Sequence, residues 1–226
     1  MSLLDVLFPA KCFGCGYLGV YVCPSCEGNL RQTQEQTCLY CDRPSLHGLT
    51  HPGCRRRGGV DGHVSLFYYD NLLKKIIKEI KYSFVRAAQN DLFYLVAKYG
   101  EALLIYYGKI PDISIQHIPL SREKQLSRGF NQAKTIARAA ALLSRTRQTE
   151  LIARHKNTKT QAKIKSQQER RENMRGAFSF IGAKVDGGEV LLVDDVVTTG
   201  STVKEAAKTL KGGGVERVYV FSVAKG

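Results

Sequence analysis

Two adjacent carboxylates followed by a hydroxyl-rich turn are the residues of this chain best suited to do chemistry. In EVLLVDDVVTTGSTVKEAAKTL, which runs from residue 189 to 210, Asp194 and Asp195 directly follow an apolar run. The turn after them contains Thr198, Thr199, Gly200, Ser201 and Thr202. Backbone N–H groups, hydroxyls and the start of a helix together form a cradle for a phosphate. Because the two carboxylates suit sugar hydroxyls or a sugar-bound metal, the stretch predicts a site for a phosphorylated sugar.

The same stretch could instead be an ordinary strand–turn–helix unit with a Ser or Thr capping the helix. Capping needs one such residue, whereas this turn carries four hydroxyls beside an aspartate pair. Gly200 would also let the backbone approach a ligand closely, which capping does not require. These differences favour the ligand-binding interpretation.

The cysteines are a second group with recognisable spacing, and all seven precede residue 55. They occur as CFGC, CPSC, CLYC and a last cysteine in HPGC, where His51 stands in the place of a partner cysteine. A C-x-x-C turn brings two thiolates within reach of one zinc ion. The predicted metal ligands are Cys12, Cys15, Cys23, Cys26, Cys38, Cys41, His51 and Cys54.

The sequence leaves the pairing of these knuckles open. The short gap between Cys15 and Cys23 favours neighbouring knuckles that share a metal, and a cross-braced arrangement is the alternative. His47 is a rival to His51 as the eighth ligand. Disulfides are disfavoured in a reducing compartment, and redox-active C-x-x-C motifs normally occur singly. Since every ligand is used by a closed site, the one or two zinc ions would be structural.

After RRRGGVDGH the chain alternates between strand-like and helix-like segments. Strand composition marks residues 64–69, 113–118, 189–195 and 217–224, and helical periodicity marks residues 71–82, 88–106, 131–145 and 201–210. This pattern predicts an α/β fold with a mostly parallel sheet covered on both faces. Such sheets bind ligands at the carboxyl ends of their strands, where the aspartate pair lies. We place the boundary between a cysteine-rich module and this domain after residue 60, which gives domains 1–60 and 61–226.

The charge of the chain is unevenly distributed. Its net charge is +14, and residues 121–175 carry fifteen Lys and Arg against four Glu. This segment is either a solvated face or a surface for an anionic partner such as nucleic acid. No apolar run approaches the roughly 18 residues of a membrane span, and the N-terminus makes a poor signal peptide. We therefore expect no membrane span and a cytoplasmic protein.

VLLVDDVVTTGST closely resembles the phosphoribosyl-diphosphate (PRPP) binding motif of type I phosphoribosyltransferases. Over nearly its whole length the chain also resembles the ComF-type competence proteins and their GntX relatives. The cysteine knuckles, IPLSREKQLSRGFNQA (118–133) and TQAKIKSQQERRENMRGAF (160–178) carry this similarity. The visible departure is His51, where the family more often has cysteine.

The resemblance implies a type I phosphoribosyltransferase-like sheet flanked by helices, with a small N-terminal double zinc ribbon. It implies that Asp194 and Asp195 hold the ribose hydroxyls of PRPP and that residues 198–202 hold its 5′-phosphate. Pyrophosphate would be bound by Leu120, Ser121, Arg122 and Lys124, and Arg128 would join the aspartates as a catalytic residue. The basic segment 155–175 would form a lid loop. Mg²⁺ would arrive largely with the substrate, so no dedicated protein cage is expected.

Two functions fit these expectations. The chain could be an enzyme that transfers a phosphoribosyl group to an unknown acceptor and so acts in DNA uptake during natural transformation. It could instead be a non-catalytic, PRPP-responsive module that binds single-stranded DNA and docks a DNA-uptake helicase or a recombination protein. The sequence shows no pattern for acceptor recognition and no general base.

Overall fold

The computed structural model describes residues 9–82, 88–158, 166–183 and 188–226, which contain seven strands and eight α-helices. The strands are β1 (Gly62–Tyr68), β2 (Ile113–His117), β3 (Gln148–Thr149), β4 (Ile152–Arg154), β5 (Phe178–Phe180), β6 (Glu189–Val197) and β7 (Arg217–Lys225). The helices are α1 (Pro24–Gly28), α2 (Asn71–Tyr82), α3 (Ala88–Tyr99), α4 (Glu101–Gly108), α5 (Arg122–Arg128), α6 (Gln132–Ser144), α7 (Gln167–Met174) and α8 (Ser201–Gly212).

Five strands form one sheet in the order β1-β7-β6-β2-β3, and every neighbouring pair is parallel. The chain leaves β2 toward β3 on one side and leaves β6 toward β7 on the other. The connections after these two adjacent strands therefore diverge and open a crevice at their carboxyl ends, where parallel sheets bind ligands. Strands β4 and β5 form a separate antiparallel pair.

Both faces of the sheet are buried, and this explains the continuous apolar runs in its strands. On β6, Leu191 and Val193 pack on one face with α2, α3 and α6, while Val190 and Leu192 pack on the other face with α8. The fold class is therefore the predicted α/β arrangement, a parallel sheet flanked by helices.

The sequence predicts a single helical stretch over residues 88–106, but the structure has two helices, α3 and α4, on either side of Gly100. A Cβ at Gly100 would lie 2.6 Å from the Val96 carbonyl oxygen and 3.0 Å from Leu104. Glycine therefore permits a close approach at the junction that a larger residue would prevent.

The interpretation of residues 155–175 as a loop is wrong for its second half, which forms α7. The Ser166 hydroxyl accepts a hydrogen bond from the Glu169 backbone N–H at 3.1 Å and caps this helix. Ser followed by Glu three residues later is a helix-start signal, so the sequence contained the information. Likewise, Ser121 and the left-handed Gly129 bound α5, a helix that the sequence analysis did not assign.

The cysteine-rich segment lies along the open edge of the sheet at β1. Thr33 donates from its backbone N–H to the Leu66 carbonyl at 2.8 Å, and Tyr68 donates to Arg31 at 2.9 Å. The Gln36 side-chain amide makes two 3.0 Å hydrogen bonds with the backbone of Ser65. These bonds satisfy the edge of β1, which would otherwise expose unpaired backbone groups.

Among the described helices, none combines the length and the apolar character that a bilayer crossing requires.

Candidate functional site

A cavity of about 590 Å³ lies at the carboxyl ends of β2 and β6. Five parts of the chain contribute residues to its lining. Two of them are the end of β6 with the following turn, and residues 118–133. The others are helix α2 together with the preceding Tyr69, then Arg154, and then Arg170. Its volume falls in the range of about 300–1,000 Å³ that is usual for small-molecule sites.

The predicted acidic pair forms part of the cavity wall. Strand β6 continues to Val197, so Asp194 and Asp195 are residues of the strand itself, near its carboxyl end. Asp194 accepts a hydrogen bond from the Asp195 backbone N–H at 2.9 Å, and Asp195 accepts one from Val196 at 2.8 Å. Asp195 is buried, and Asp194 is half-buried.

Lys81, at the end of α2, forms an ion pair with this acidic pair that the sequence analysis missed. Its Nζ lies 2.6 Å from Asp195 Oδ2. Burial opposes the charge of Lys81, but the attraction of Asp195 outweighs it, and the pKa of Lys81 is raised. Lys81 follows the apolar stripe of α2 and has no unusual neighbours, so no local signal pointed to this contact.

The electrostatics of Asp194 differ from those of an exposed aspartate. Burial, followed by repulsion from the adjacent Asp195, raises the pKa of Asp194 to about 7. The cation Lys81 opposes this rise. A carboxylate in this state is ready to gain a positively charged or hydrogen-bond-donating ligand, because either would stabilise its ionised form.

The hydroxyl-rich turn that follows has the shape expected of a phosphate cradle. Gly200 has φ +70°, a conformation that disfavours other residues, and it immediately precedes α8. The Thr199 and Ser201 hydroxyls lie 2.9 Å apart, and Lys204 Nζ donates to the Thr199 carbonyl at 3.0 Å. Every residue from 198 to 202 lines the cavity.

The segment predicted to bind pyrophosphate shares this cavity with the turn, but only part of it lines the cavity. The side chains of Leu120 and Lys124 line the cavity. Ser121 is buried and its hydroxyl donates to Asn157 Oδ1 at 3.1 Å, while Arg122 is exposed. Burial and the neighbouring cations Arg154 and Arg128 lower the pKa of Lys124 to about 8.

Arg128 lies at the end of α5 and lines the cavity. Its guanidinium carbon is 5.4 Å from the centre of the Tyr82 ring, a cation–π distance. The ends of α5 and α2 are therefore in contact across the mouth of the cavity.

Two further cavity residues, Gln132 and Arg154, were not predicted from the sequence as site residues. Within the described part of the chain, Gln132 Nε2 and Arg154 Nε are buried N–H donors without a hydrogen-bond partner. Buried donors are rarely left unpaired in native proteins, so each is a candidate donor to a ligand oxygen. Gln132 belongs to the quoted segment RGFNQA, which was the available signal.

The basic segment contributes one described cavity residue, Arg170 on α7, whose Nη1 donates to the Thr198 hydroxyl at 3.4 Å. Gln161, Lys159, Lys163 and Lys165 lie outside the described residues.

The predicted metal ligands lie in two groups. One contains Cys12, Cys15, Cys23 and Cys26, and the other contains Cys38, Cys41, His51 and Cys54. In each group all ligand atoms lie within 4.8 Å of one another. Neighbouring knuckles therefore share a site, and the cross-braced alternative is not the arrangement observed.

The first group has the spacing of a tetrahedral thiolate site. Cys15 and Cys23 have their sulfurs 3.6 Å apart, close to the roughly 3.8 Å edge expected for zinc–sulfur bonds of about 2.3 Å. Burial, followed by hydrogen bonding to neighbouring sulfurs, raises the pKa of Cys26 to about 12. A bound cation would offset the repulsion among four closely spaced thiolates, and the donor set fits zinc.

In the second group, His51 and not His47 is the histidine that lies with the cysteines. His51 Nδ1 lies 3.3 Å from Cys41 Sγ, while its Nε2 lies 3.1 Å from the Pro44 carbonyl oxygen. Since a carbonyl can only accept, Nε2 carries the proton and Nδ1 presents its lone pair to the cluster, as in many metal-binding histidines. His47 instead stacks on Tyr106 at 3.9 Å.

The second group is also in direct contact with the hydroxyl-rich turn. Leu39, between Cys38 and Cys41, is buried with Val197 and Val203. A Cβ at Gly200 would lie 3.2 Å from Leu39 Cδ1. The ammonium of Lys204, which holds the Thr199 carbonyl, lies 4.9 Å from the centre of the Tyr40 ring.

Comparison with known proteins agrees with this geometry. Residues 126–226 match the family described as the phosphoribosyl transferase domain. The chain is 30% identical to the DNA utilization protein YhgH of Salmonella typhimurium over 213 residues, which cover 90% of each chain. The chain belongs to the ComF family of phosphoribosyltransferase-domain proteins.

Other members of the ComF family match over similar lengths. Competence protein F of Haemophilus influenzae is 29% identical over 228 residues, covering 96% of this chain and 98% of that protein. Competence protein ComFC of Bacillus subtilis is 28% identical over 200 residues, covering 84% and 77%. The resemblance seen in the sequence motifs is thereby confirmed.

Proposed function

We propose that this chain binds Mg²⁺-PRPP in the cavity and transfers its phosphoribosyl group to an acceptor, with pyrophosphate as the second product. One observation carries the proposal. Among the described residues, the acidic pair, the hydroxyl-rich turn, and Gln132 and Arg154 with their unpaired donors all belong to the lining of one cavity. The phosphoribosyl transferase match over residues 126–226 supports the same ligand.

In this proposal each segment binds one part of PRPP. The turn 198–202 holds the 5′-phosphate with its N–H groups and hydroxyls. Asp194 and Asp195 accept hydrogen bonds from the ribose hydroxyls, and Lys81 balances the buried charge of Asp195. Residues 120–124 hold the pyrophosphate, with Leu120, Ser121 and Arg122 contributing through the backbone and Lys124 through its ammonium group.

Arg128 and Lys124 would act on the leaving group. Negative charge develops on pyrophosphate as its bond to the ribose breaks, and preplaced cations stabilise that charge in the transition state. The oxygen-rich acidic pair and turn suit a hard cation, and Mg²⁺ would supply further neutralisation of the phosphates when bound. Oxygens of pyrophosphate and of the ribose hydroxyls would hold it, while Asp194 and Asp195 would position those hydroxyls.

Calorimetric titration with Mg²⁺-PRPP tests the site. We expect one binding site per chain, and a loss of at least about 100-fold in affinity in Asp194→Asn/Asp195→Asn, because two charge-assisted contacts disappear. The matched control is Asp112→Asn/Glu216→Gln, which removes two charges at the amino ends of β2 and β7. Unchanged affinity in the aspartate-pair variant would show that the cavity binds something else.

We further propose that both cysteine groups bind structural zinc, which would make residues 1–60 a double zinc-ribbon module beside a phosphoribosyltransferase domain at 61–226. Elemental analysis of purified protein should give about two zinc ions per chain, one for each group of four ligands. A value near one would remove the His51 group, and a value near zero in metal-replete protein would contradict both sites. Thiolate sites of this kind also favour the reducing cytoplasm as the location.

The names of the relatives, competence protein and DNA utilization protein, support a role in DNA uptake. The second candidate function follows from the charge of residues 121–175, where the excess of basic residues exceeds what one pyrophosphate needs. In this version the chain is a PRPP-responsive module that binds single-stranded DNA through this segment. The zinc module would dock a DNA-uptake helicase or a recombination protein.

Salt-dependent DNA binding tests this second function. The logarithm of affinity should fall by about 0.7 per contacted phosphate for each logarithmic unit of salt. Replacing Lys159, Lys163 and Lys165 with Gln should flatten this slope, whereas Asp194→Asn should leave it unchanged. Negligible DNA affinity at physiological salt would argue against a DNA-binding module and leave the enzymatic proposal standing.

A further inference from the structure

The two carboxylates of the acidic pair have different partners, although they are neighbours in the sequence. Asp195 Oδ1 accepts a hydrogen bond from the Val196 backbone N–H at 2.8 Å, and Asp195 Oδ2 lies 2.6 Å from Lys81 Nζ. Both oxygens of Asp195 are therefore held by donors of the protein. Asp194 Oδ1 accepts from the Asp195 backbone N–H at 2.9 Å, but among the described residues no hydrogen-bond or ion-pair partner lies at Asp194 Oδ2.

We propose that Lys81 is a positioning residue of this site, which fixes Asp195 and leaves Asp194 Oδ2 as the main acceptor for the sugar hydroxyls. Lys81 also keeps a divalent cation that arrives without a ligand from binding to the acidic pair. The positioning role rests on the proposed function, because it concerns the ribose of PRPP. The exclusion of cations does not depend on that function and can be measured without PRPP.

The contact between Lys81 and Asp195 is shielded from solvent. The two side chains are only 21% and 12% exposed. Lys81 directly follows the buried Ile80, which anchors the end of α2 in the core. Separating such a pair leaves an uncompensated charge in a poorly solvated place, so the contact holds Asp195 in one orientation. A hydroxyl that meets Asp195 must share its oxygens with Lys81 and Val196, whereas Asp194 Oδ2 offers its lone pairs without competition.

The charge balance of the cavity explains the exclusion of cations. Two adjacent carboxylates are ligands that Mg²⁺ and Mn²⁺ prefer. The ammonium group of Lys81 offsets one of their negative charges and occupies one approach to Asp195 Oδ2. Six further cations line the cavity, namely Lys74, Lys78, Lys124, Arg128, Arg154 and Arg170. A bare divalent ion meets this positive field, whereas a phosphate-bound ion brings anions that match it.

Binding of Mn²⁺ to full-length protein in the absence of PRPP tests the exclusion. Mn²⁺ takes the same oxygen ligands as Mg²⁺, and its electron paramagnetic resonance signal measures the unbound ion. Lys81→Gln keeps a hydrogen-bond donor near Asp195 but removes the charge. We expect this variant to bind Mn²⁺ at least about ten-fold tighter than the unchanged protein, because the acidic pair regains its full charge.

Three variants are the controls for the Mn²⁺ measurement. Lys81→Arg keeps the charge and should restore weak binding. Lys78→Gln removes the same charge from the same cavity and the same helix, but not the contact with Asp195, and should also bind weakly. Adding Asp194→Asn to Lys81→Gln should abolish the gain. Thermal unfolding shows whether each variant is folded.

A double-mutant cycle with Mg²⁺-PRPP tests the positioning role by calorimetry. Asp194→Asn should weaken binding by about 30-fold, whereas Asp195→Asn and Lys81→Gln should each weaken it by about five-fold. Lys81→Gln/Asp195→Asn should lose no more than Asp195→Asn alone, because the same contact is lost once. Lys81→Gln/Asp194→Asn should show the product of the two single losses. A purely structural role of Lys81 would not produce this pattern.

Tight Mn²⁺ binding by the unchanged protein, or unchanged weak binding by Lys81→Gln, would overturn the exclusion. Equal losses of PRPP affinity in Asp194→Asn and Asp195→Asn would overturn the positioning role. If Lys81→Gln does not fold, Lys81→Gln/Asp195→Asn leaves no unpaired charge of this contact, and a ten-fold loss beyond Asp195→Asn would contradict the proposal. Failure of the unchanged protein to bind PRPP would refute the proposed function and the positioning role, while the Mn²⁺ measurement would still decide the exclusion.

Discussion

The two cysteine groups have similar ligand spacing but different neighbours. The group containing Cys12 packs against Leu72 on the outer side of α2, and Lys75 on that side donates to the Gly14 carbonyl at 2.8 Å. The helix itself separates this group from the cavity. The group containing Cys38 instead touches the hydroxyl-rich turn directly through Leu39. Two groups of similar sequence pattern thus lie at different distances from the cavity.

This difference indicates that a cysteine group able to hold a metal ion can also support the wall of a cavity. Leu39 and Tyr40 can hold the turn only if the knuckle between Cys38 and Cys41 is itself fixed. A metal bound there would fix it, because closed tetrahedral sites stabilise the loops that supply their ligands. We therefore expect loss of the second group to affect PRPP binding and loss of the first group to affect mainly local stability.

For the comparison of the two cysteine groups, the largest difference in PRPP affinity is expected when one ligand is removed from one group or from the other. Cys41→Ser should weaken Mg²⁺-PRPP binding by about 30-fold, or about 2 kcal/mol, because the turn loses its support. Cys15→Ser should change affinity by less than about three-fold. Each variant should retain the other metal ion, as elemental analysis would show. Equal losses of affinity would mean that the two groups act alike.

The next effect tests the same difference without touching a metal ligand. Leu39→Ala should destabilise the fold by about 2–3 kcal/mol and weaken PRPP binding by about ten-fold, because the cavity left behind lies beside Gly200. Leu72→Ala, beside the first group, should lower stability while leaving affinity nearly unchanged. Thermal unfolding and calorimetry measure the two quantities separately. A loss of affinity in Leu72→Ala that matches Leu39→Ala would contradict the comparison.

The pH dependence of PRPP binding should be moderate and independent of the cysteine groups. The pKa of Asp194 is raised to about 7, so below that pH its carboxyl is protonated and affinity falls by up to about ten-fold per pH unit. The pKa of Lys124 is lowered to about 8, so affinity falls again as this cation is lost at higher pH. Binding should therefore be tightest between about 7 and about 8. If Cys41→Ser shows the same pH profile at lower affinity, the second group acts on the turn and not on the titration of Asp194 or Lys124. A shifted profile would contradict this separation.

The smallest effect is expected at the surface ion pair beside the second group. Lys225 Nζ lies 2.7 Å from Asp42 Oδ1, but the Asp42 side chain is 78% exposed. Such pairs contribute about 0–1 kcal/mol, so Asp42→Asn should change PRPP affinity by less than about two-fold. A ten-fold loss would indicate that charge, rather than packing of Leu39, couples this group to the turn.

The sequence alone was sufficient for features whose parts are close neighbours along the chain. Asp194, Asp195 and the turn after them lie within one strand–turn–helix unit, so their spacing already placed them at one strand end. The four cysteine knuckles are likewise local turns. The alternation of apolar runs and helical stripes was sufficient to predict the α/β sheet, because both faces of a parallel sheet must be covered.

The tertiary structure decided the features that join distant segments. The contact of Lys81 with Asp195, the unpaired donors of Gln132 and Arg154, and the packing of Leu39 on Gly200 have no signature in local spacing. They exist because the sheet order brings the ends of β2 and β6 together and because α2 and the second cysteine group pack on either side of them. Spacing along the chain fixes which groups a turn can present, but only packing between segments determines which groups meet across a cavity.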